Sequence, residues 1–440
     1  MQNTNPQAQA LNEKLKEISP TCYALLSQKG LKSFFPKKGI LSQTADAKGK
    51  KYDATIGVAN EEDGSIMYLK SVQQNLNLDP KDTYAYAPSY GRKDLREKWQ
   101  NMILSKNPSL QQLQSEAQEM PISMPLVTNA LTHAISIIGQ VFLNPGDQVI
   151  SPDLYWGNYN LILGNGCDAT LTTFKTFKNN KFNIEGLKEK LNEPGDKKIV
   201  ILNFPNNPTG YTPLNEEVND IVEALKNTAE NGKNIIAIID DAYFGLVYEE
   251  GVFTESIFSA LANAHENILA IKADGATKED YVWGFRVGFI TYGIKGGNEE
   301  IYKILEEKTA GAVRGNISNV SNLAQSLLLK AYESPDYNNE KQEKFEILKK
   351  RYQKVKEVLK THPEYKDHFA QIPYNSGYFM CVELNKLDAE EMRQHLLKKY
   401  ETGIIAIGDN VIRVAYSGLP LNLIEELFEN IYNACRDLSS

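Results

Sequence analysis

The chain has 440 residues, 48 of them Lys or Arg and 56 Asp or Glu, for a formal charge of −8 at pH 7. With 42% apolar and 24% charged residues it has enough apolar material for a core, which excludes a disordered acidic chain. The acidic balance argues against nucleic acid as a partner, and no apolar run approaches the ~18 residues of a membrane span.

The chain opens on MQNTNPQAQALNEKLKEI, which is polar and lacks the apolar centre of a signal peptide. A short polar helix is expected over Gln9–Ile18, then a loop rich in Lys and Gly to about residue 50. From about 55 to 330 helical stretches such as Leu131–Val141 alternate with short apolar runs. These runs are Gln148–Ile150, Ile199–Asn203, Ile235–Ile239, Ile268–Ile271 and Val287–Thr291. Strands alternating with helices imply an α/β fold with a mostly parallel sheet, whose ligands collect at the carboxyl ends of the strands. Beyond 330 the texture changes. Asn338–Lys360 reads as a long charged helix with a solvated face, Tyr378–Leu384 and Val411–Val414 as strands, and Leu387–Lys399 and Leu421–Leu438 as helices. The division expected is an arm and part of a small domain at 1–55, a large domain at 56–329 and a small α+β domain at 330–440. The cysteines Cys22, Cys167, Cys381 and Cys435 lie far apart, without metal or CxxC spacing, which fits a reducing cytosol.

Three places after the apolar runs carry chemistry. Lys278 lies in ADGATK, past Ile268–Ile271, with GFRVG beginning six residues later. A lysine just past a buried strand loses solvation, which lowers its pKa as a Schiff-base lysine requires. The plain alternative is a surface lysine, because Glu279 and Asp280 follow it. Asp240, in IIDDAY, ends a wholly apolar strand, where a carboxylate is costly without a cationic partner; Asp241 beside it takes the cap or surface role. In NFPNNPTG (203–210) two prolines fix a rigid turn after a strand and direct Asn207 outward.

In this order and spacing, FPNNPTG, DDAY and the lysine followed eight residues later by Arg286 resemble the class I/II aminotransferases. These are fold-type I pyridoxal-phosphate enzymes related to aspartate aminotransferase, and the resemblance covers about residues 80 to 430. It implies a large, seven-stranded type of mostly parallel sheet with a smaller α+β domain. It implies that Lys278 holds the cofactor aldehyde as an aldimine and later shuttles a proton, that Asp240 pairs with the pyridine nitrogen, and that Tyr243 and Asn207 bond the phenolic oxygen. Arg286 matches the phosphate arginine, and the helix opening at Ala130, Leu131 and Thr132 supplies N–H groups and one hydroxyl to the phosphate. Ala130 stands where glycine or serine is usual, and Gly275 where a phosphate-binding serine is common. Trp156 is the preferred ring-stacking aromatic, with Tyr155 the alternative.

Arg413, in IRVAYSG, matches the arginine that binds the substrate α-carboxylate. Tyr86 matches a tyrosine reaching the partner subunit's phosphate. Arg314, four residues before Ser318-Asn319, matches an arginine that crosses the dimer interface to a side-chain carboxylate; a surface arginine is the alternative. The resemblance thus implies a cytoplasmic homodimer with shared sites. It would move an amino group between an acidic or aromatic amino acid and a 2-oxo acid such as 2-oxoglutarate, by ping-pong chemistry. The alternative on the same fold is a lyase or decarboxylase, of the aspartate β-decarboxylase or C–S lyase kind.

Overall fold

The structure, a computed structural model, describes residues 5–36, 39–117 and 120–439. Helix α1 (Pro6–Ile18) is N-capped by Asn5, whose side chain accepts from the Gln7 N–H. The loop expected next is instead three short helices, Pro20–Ala24, Gln28–Lys32 and Ile40–Ala47. Ser19 and Ser27 cap the first two, so the serines that read as loop residues are helix starts. The pair Tyr52 and Asp53 then runs parallel beside Thr402 and Gly403.

Helix α2 (Lys93–Lys106) precedes the main sheet. Its strands are β1 (Leu126–Thr128), β2 (Gln148–Pro152), β3 (Thr170–Phe174), β4 (Lys197–Asn203), β5 (Asn234–Asp240), β6 (Ile268–Gly275) and β7 (Gly288–Gly293), in the order β1-β7-β6-β5-β4-β2-β3. Helix α3 (Ala130–Phe142) follows β1 and α4 (Asn215–Glu230) follows β4. Six strands point one way; β7 is antiparallel to both of its neighbours. Strands β4 to β6 read as near-continuous Ile, Val and Ala because both faces are covered, one apolar cluster lying on each face. Strand β3 escapes an apolar-run search because TLTTF is an edge strand with few apolar residues.

Helices α5 (Glu299–Asn316), α6 (Asn322–Tyr332) and α7 (Tyr337–Thr361) lead to a second sheet. Its strands β8 (Phe369–Gln371), β9 (Met380–Leu384), β10 (Ile405–Ile407) and β11 (Val411–Val414) are antiparallel in the order β8-β9-β11-β10. Helix α8 (Ala389–Lys399) lies between β9 and β10, and α9 (Ile424–Ser439) closes the chain. The charged helix α7 is not simply solvated. Its Arg351 is fully buried, bonding Glu62 and the Ser417 carbonyl, while Lys341 points inward to Glu279 and Asp280. Among the described residues no helix is long and apolar enough to cross a membrane.

Candidate active site

Sheet direction alone gathers the candidate residues. The parallel strands β1, β2, β4, β5 and β6 end at one edge, delivering Ala130, Trp156, Asn207, Asp240 and Lys278. Because β7 is antiparallel, its beginning lies at that same edge and brings Arg286.

Asp240 is 3% exposed and has two side-chain hydrogen bonds. Tyr159 donates its hydroxyl to Oδ2 at 2.5 Å, and the Ala242 N–H donates to Oδ1 at 3.1 Å. Burial pushes its carboxyl above the ordinary range, opposed by the Tyr159 bond and by the nearby Lys278 charge. Its backbone is held from β4 by the Asn203 amide, which donates to the Asp240 carbonyl at 2.8 Å. The Asn203 Oδ1 accepts from the Asn207 N–H at 2.7 Å, so one asparagine sets both the aspartate and the Asn207 turn. Tyr159 is a residue the sequence reading missed. It lies three residues past Trp156, one helical turn on, and that spacing is its only sequence signal.

Lys278 is half-buried, its Nζ 5.2 Å from the Tyr243 ring centroid. Desolvation brings its pKa down to about 8, with Asp240 pulling upward and Arg286 downward. The Tyr378 hydroxyl donates to its carbonyl at 3.3 Å. The two acids after it do not mark a surface loop. Glu279 takes Lys106 and Lys341 as partners; burial alone would push its carboxyl up, but the two ammonium groups hold it low. Asp280 accepts from Tyr332 at 2.7 Å and Tyr337 at 2.5 Å. Asp241 is likewise buried, not a cap or surface residue. It accepts from Ser256 at 2.5 Å and pairs with Lys272, and no helix starts beside it for it to cap.

Two arginines complete the group. Arg413 is 1% exposed; it donates from Nη1 to Asn207 Oδ1 at 2.9 Å and from Nη2 to the Thr55 carbonyl at 2.6 Å, and lies 4.2 Å over the Phe379 ring. Its Nε has no partner. Arg286 donates to the Trp283 carbonyl at 3.3 Å. Burial lowers the pKa of both, and among the described residues neither has a carboxylate partner. Around Arg286 the backbones are nearly touching. A Cβ at Gly275 would stand 2.7 Å from the Gly288 Cα, and one at Gly288 would stand 2.8 Å from the Ala130 carbonyl carbon. That crowding suits the glycine at 275, the position where the resembled family commonly has a serine. Ala130 itself has φ +61°. Thr132 is inside the first turn of α3 and caps nothing, the N-cap being Asn129.

Of the aromatics, Tyr155 is already stacked parallel on Tyr159 (6.2 Å, 7°), whereas Trp156 meets Tyr159 edge-on (5.6 Å, 81°). Tyr86, at 92% exposure, and Arg314, bonded to Ser318 Oγ at 2.7 Å, are both exposed.

A family model described as aminotransferase class I and II matches residues 58–431. The chain belongs to this family. It is a pyridoxal-phosphate-dependent aminotransferase. The aspartate aminotransferase of Bacillus sp. (strain YM-2) is 25% identical over 362 residues, covering 79% of this chain and 82% of that protein. An aminotransferase from Anaerococcus prevotii superposes with a TM-score of 0.80 at 25% identity, covering 93% of this chain and 98% of its own. A variant of Thermus thermophilus aspartate aminotransferase shares the fold, with a TM-score of 0.73 at 19% identity, covering 93% and 99%. The residues of this aminotransferase suit its cofactor. A buried carboxylate in no ion pair, a desolvated low-pKa lysine and a cation lacking an anion match a ring nitrogen, an aldehyde and a phosphate.

Proposed function

We propose that this aminotransferase exchanges the amino group of an acidic or aromatic amino acid with a 2-oxo acid such as 2-oxoglutarate, in two half-reactions at one site. The observation that carries the reading is a pair of arginines without carboxylates, Arg413 fully buried and Arg286 half-buried. A desolvated guanidinium without a counterion is costly, most of all when fully buried as at Arg413, so each fits an anion delivered from outside: phosphate at Arg286, the substrate α-carboxylate at Arg413. The Arg413 bond to Asn207 joins the carboxylate position to the cofactor position. Bound pyridoxal phosphate supplies the electron sink. In this reading Asp240 holds a proton at the ring nitrogen, Asn207 and Tyr243 face the phenolic oxygen, and the Lys278 amine takes and returns the Cα proton. Ala130, Leu131 and Thr132 give N–H and hydroxyl donors to the phosphate. Trp156 covers the ring, since its face lacks the parallel partner that Tyr155 has.

We also propose a cytosolic homodimer. The exposed Tyr86 and Arg314 fit residues that serve the partner's site, Arg314 toward a side-chain carboxylate. In the same reading 56–329 forms the large cofactor domain, and 330–440 with the arm at 1–55 forms the small one; the arm's pairing with Thr402 and Gly403 supports this. The test is a panel of amino acids added to cofactor-loaded protein, scored by conversion of the bound cofactor to its pyridoxamine form. Glutamate, aspartate or an aromatic amino acid should convert it, and 2-oxoglutarate should reverse the change. Release of CO₂ or sulfide without conversion would refute the reading and favour a decarboxylase or lyase.

A further inference from the structure

Lys272 sits in the middle of β6, 1% exposed, opposite Ile239 on one neighbouring strand and Thr291 on the other. Its ammonium pairs with Asp241, lies 3.2 Å from Asp274 Oδ2 and 4.8 Å from the Phe244 ring centroid. Asp274 accepts the Trp99 indole N–H on both oxygens at 3.1 Å. Trp99 in turn stacks on Phe289 at 4.2 Å and faces Lys106, the partner of Glu279. The three groups carry one positive and two negative formal charges in a buried setting. Replacing such a cluster by apolar residues is often neutral or stabilising, so folding alone does not call for it.

Its location is what counts. Asp241 follows Asp240 directly, and Asp274 lies four residues before Lys278 on the strand that ends at the Lys278 turn. Successive strand residues face opposite ways, and the contacts show it here: Asp240 bonds Tyr159 on one face while Asp241 bonds Lys272 on the other. The Asp241 N–H also donates to the Ala273 carbonyl at 2.9 Å, tying the end of β5 to β6.

We propose that Lys272, Asp241 and Asp274 are positioning residues: a buried ion cluster behind the sheet that fixes the Asp240 and Lys278 strand ends together and sets the electrostatic potential they feel. This rests on the active-site reading above. Burial pushes the Asp274 carboxyl up to about 6, with Lys272 opposing and Asp241 and Glu279 adding, so near neutral pH the excess negative charge is held against the burial cost. Lys278 is faced by Asp240 and Arg286 with Tyr243 alongside; Lys272 is faced by Asp241, Asp274 and Glu279.

The test is a spectroscopic pH titration of the chromophore that pyridoxal phosphate forms with Lys278, together with cofactor affinity. Asp274→Asn removes a negative charge and should lower the titration midpoint by about 0.5–1 pH unit; Lys272→Met removes a positive charge and should raise it by a similar amount. The triple variant Lys272→Met, Asp241→Asn, Asp274→Asn loses one net negative charge and should also lower it. It decides the matter together with Asp274→Asn if Lys272→Met does not fold. Midpoints unchanged, or shifted the same way by the two single charge removals, overturn the proposal. Absence of the chromophore in the unsubstituted protein would instead overturn the active-site reading.

Discussion

Tyr159 is where the structure makes the sharpest demand. Its hydroxyl is one of two donors to the Asp240 side chain. Changing Tyr159 to Phe removes the hydroxyl while keeping the ring that stacks on Tyr155 and meets Trp156, so no ring-sized cavity opens. A hydrogen bond to a buried charged group contributes about 1.5–3 kcal/mol. Asp240 has its carboxyl raised by burial. A carboxyl with a raised folded-state pKa supports folding most when it is protonated, and that support is lost as pH rises through the folded pKa. The Tyr159 bond opposes this loss, because it favours the ionised form. In cofactor-free protein the cost of Tyr159→Phe should therefore be small at an acid pH where Asp240 is protonated and grow toward about 1.5–3 kcal/mol at an alkaline pH above its raised pKa. Paired unfolding curves at the two pH values measure it. In loaded protein the same change leaves Asp240 a poorer partner for a ring cation, and cofactor affinity should fall roughly 10- to 100-fold. A cost that is equal at both pH values, or larger in acid, would refute the assigned pairing. So would an unchanged cofactor affinity.

Three further outcomes are expected. The rate at which cofactor-free protein condenses with added pyridoxal phosphate should rise through about pH 8, where the Lys278 amine sheds its proton, and Lys278→Ala should form no covalent adduct, read by mass after borohydride reduction. Gly210→Ala should cost about 3 kcal/mol or more, measured by melting temperature, since φ there is +74° and the new Cβ would stand 2.0 Å from the Phe379 carbonyl oxygen. Arg314→Ala should weaken aspartate and glutamate roughly 10- to 100-fold in kcat/KM while sparing aromatic amino acids; equal loss across all substrates would mark Arg314 as structural.

The readability of this chain depended on whether a residue's meaning is local. The apolar runs before Asp240 and Lys278 marked β5 and β6, because strands covered on both faces need that composition. Turn chemistry marked the 203–210 segment, because proline restricts its neighbours wherever it stands. Strand β3 and the serine-capped helices of the arm lacked such signals: TLTTF has few apolar residues and those helices are five residues long. The acids beside the site fared worst. Asp241, Glu279 and Asp280 read as surface groups because an isolated charge prefers water. Their partners Lys272, Lys106, Lys341, Tyr332 and Tyr337 are 31 to 173 positions away in the chain, beyond any local pattern. The same logic separates the arginines. Arg351 is buried with Glu62 as its counterion, whereas Arg413, equally buried, has a carbonyl, an amide and a ring but no carboxylate. Composition cannot distinguish the two. The missing counterion can, and it is the observation that supports the proposal of Arg413 as an anion-binding rather than a purely structural residue.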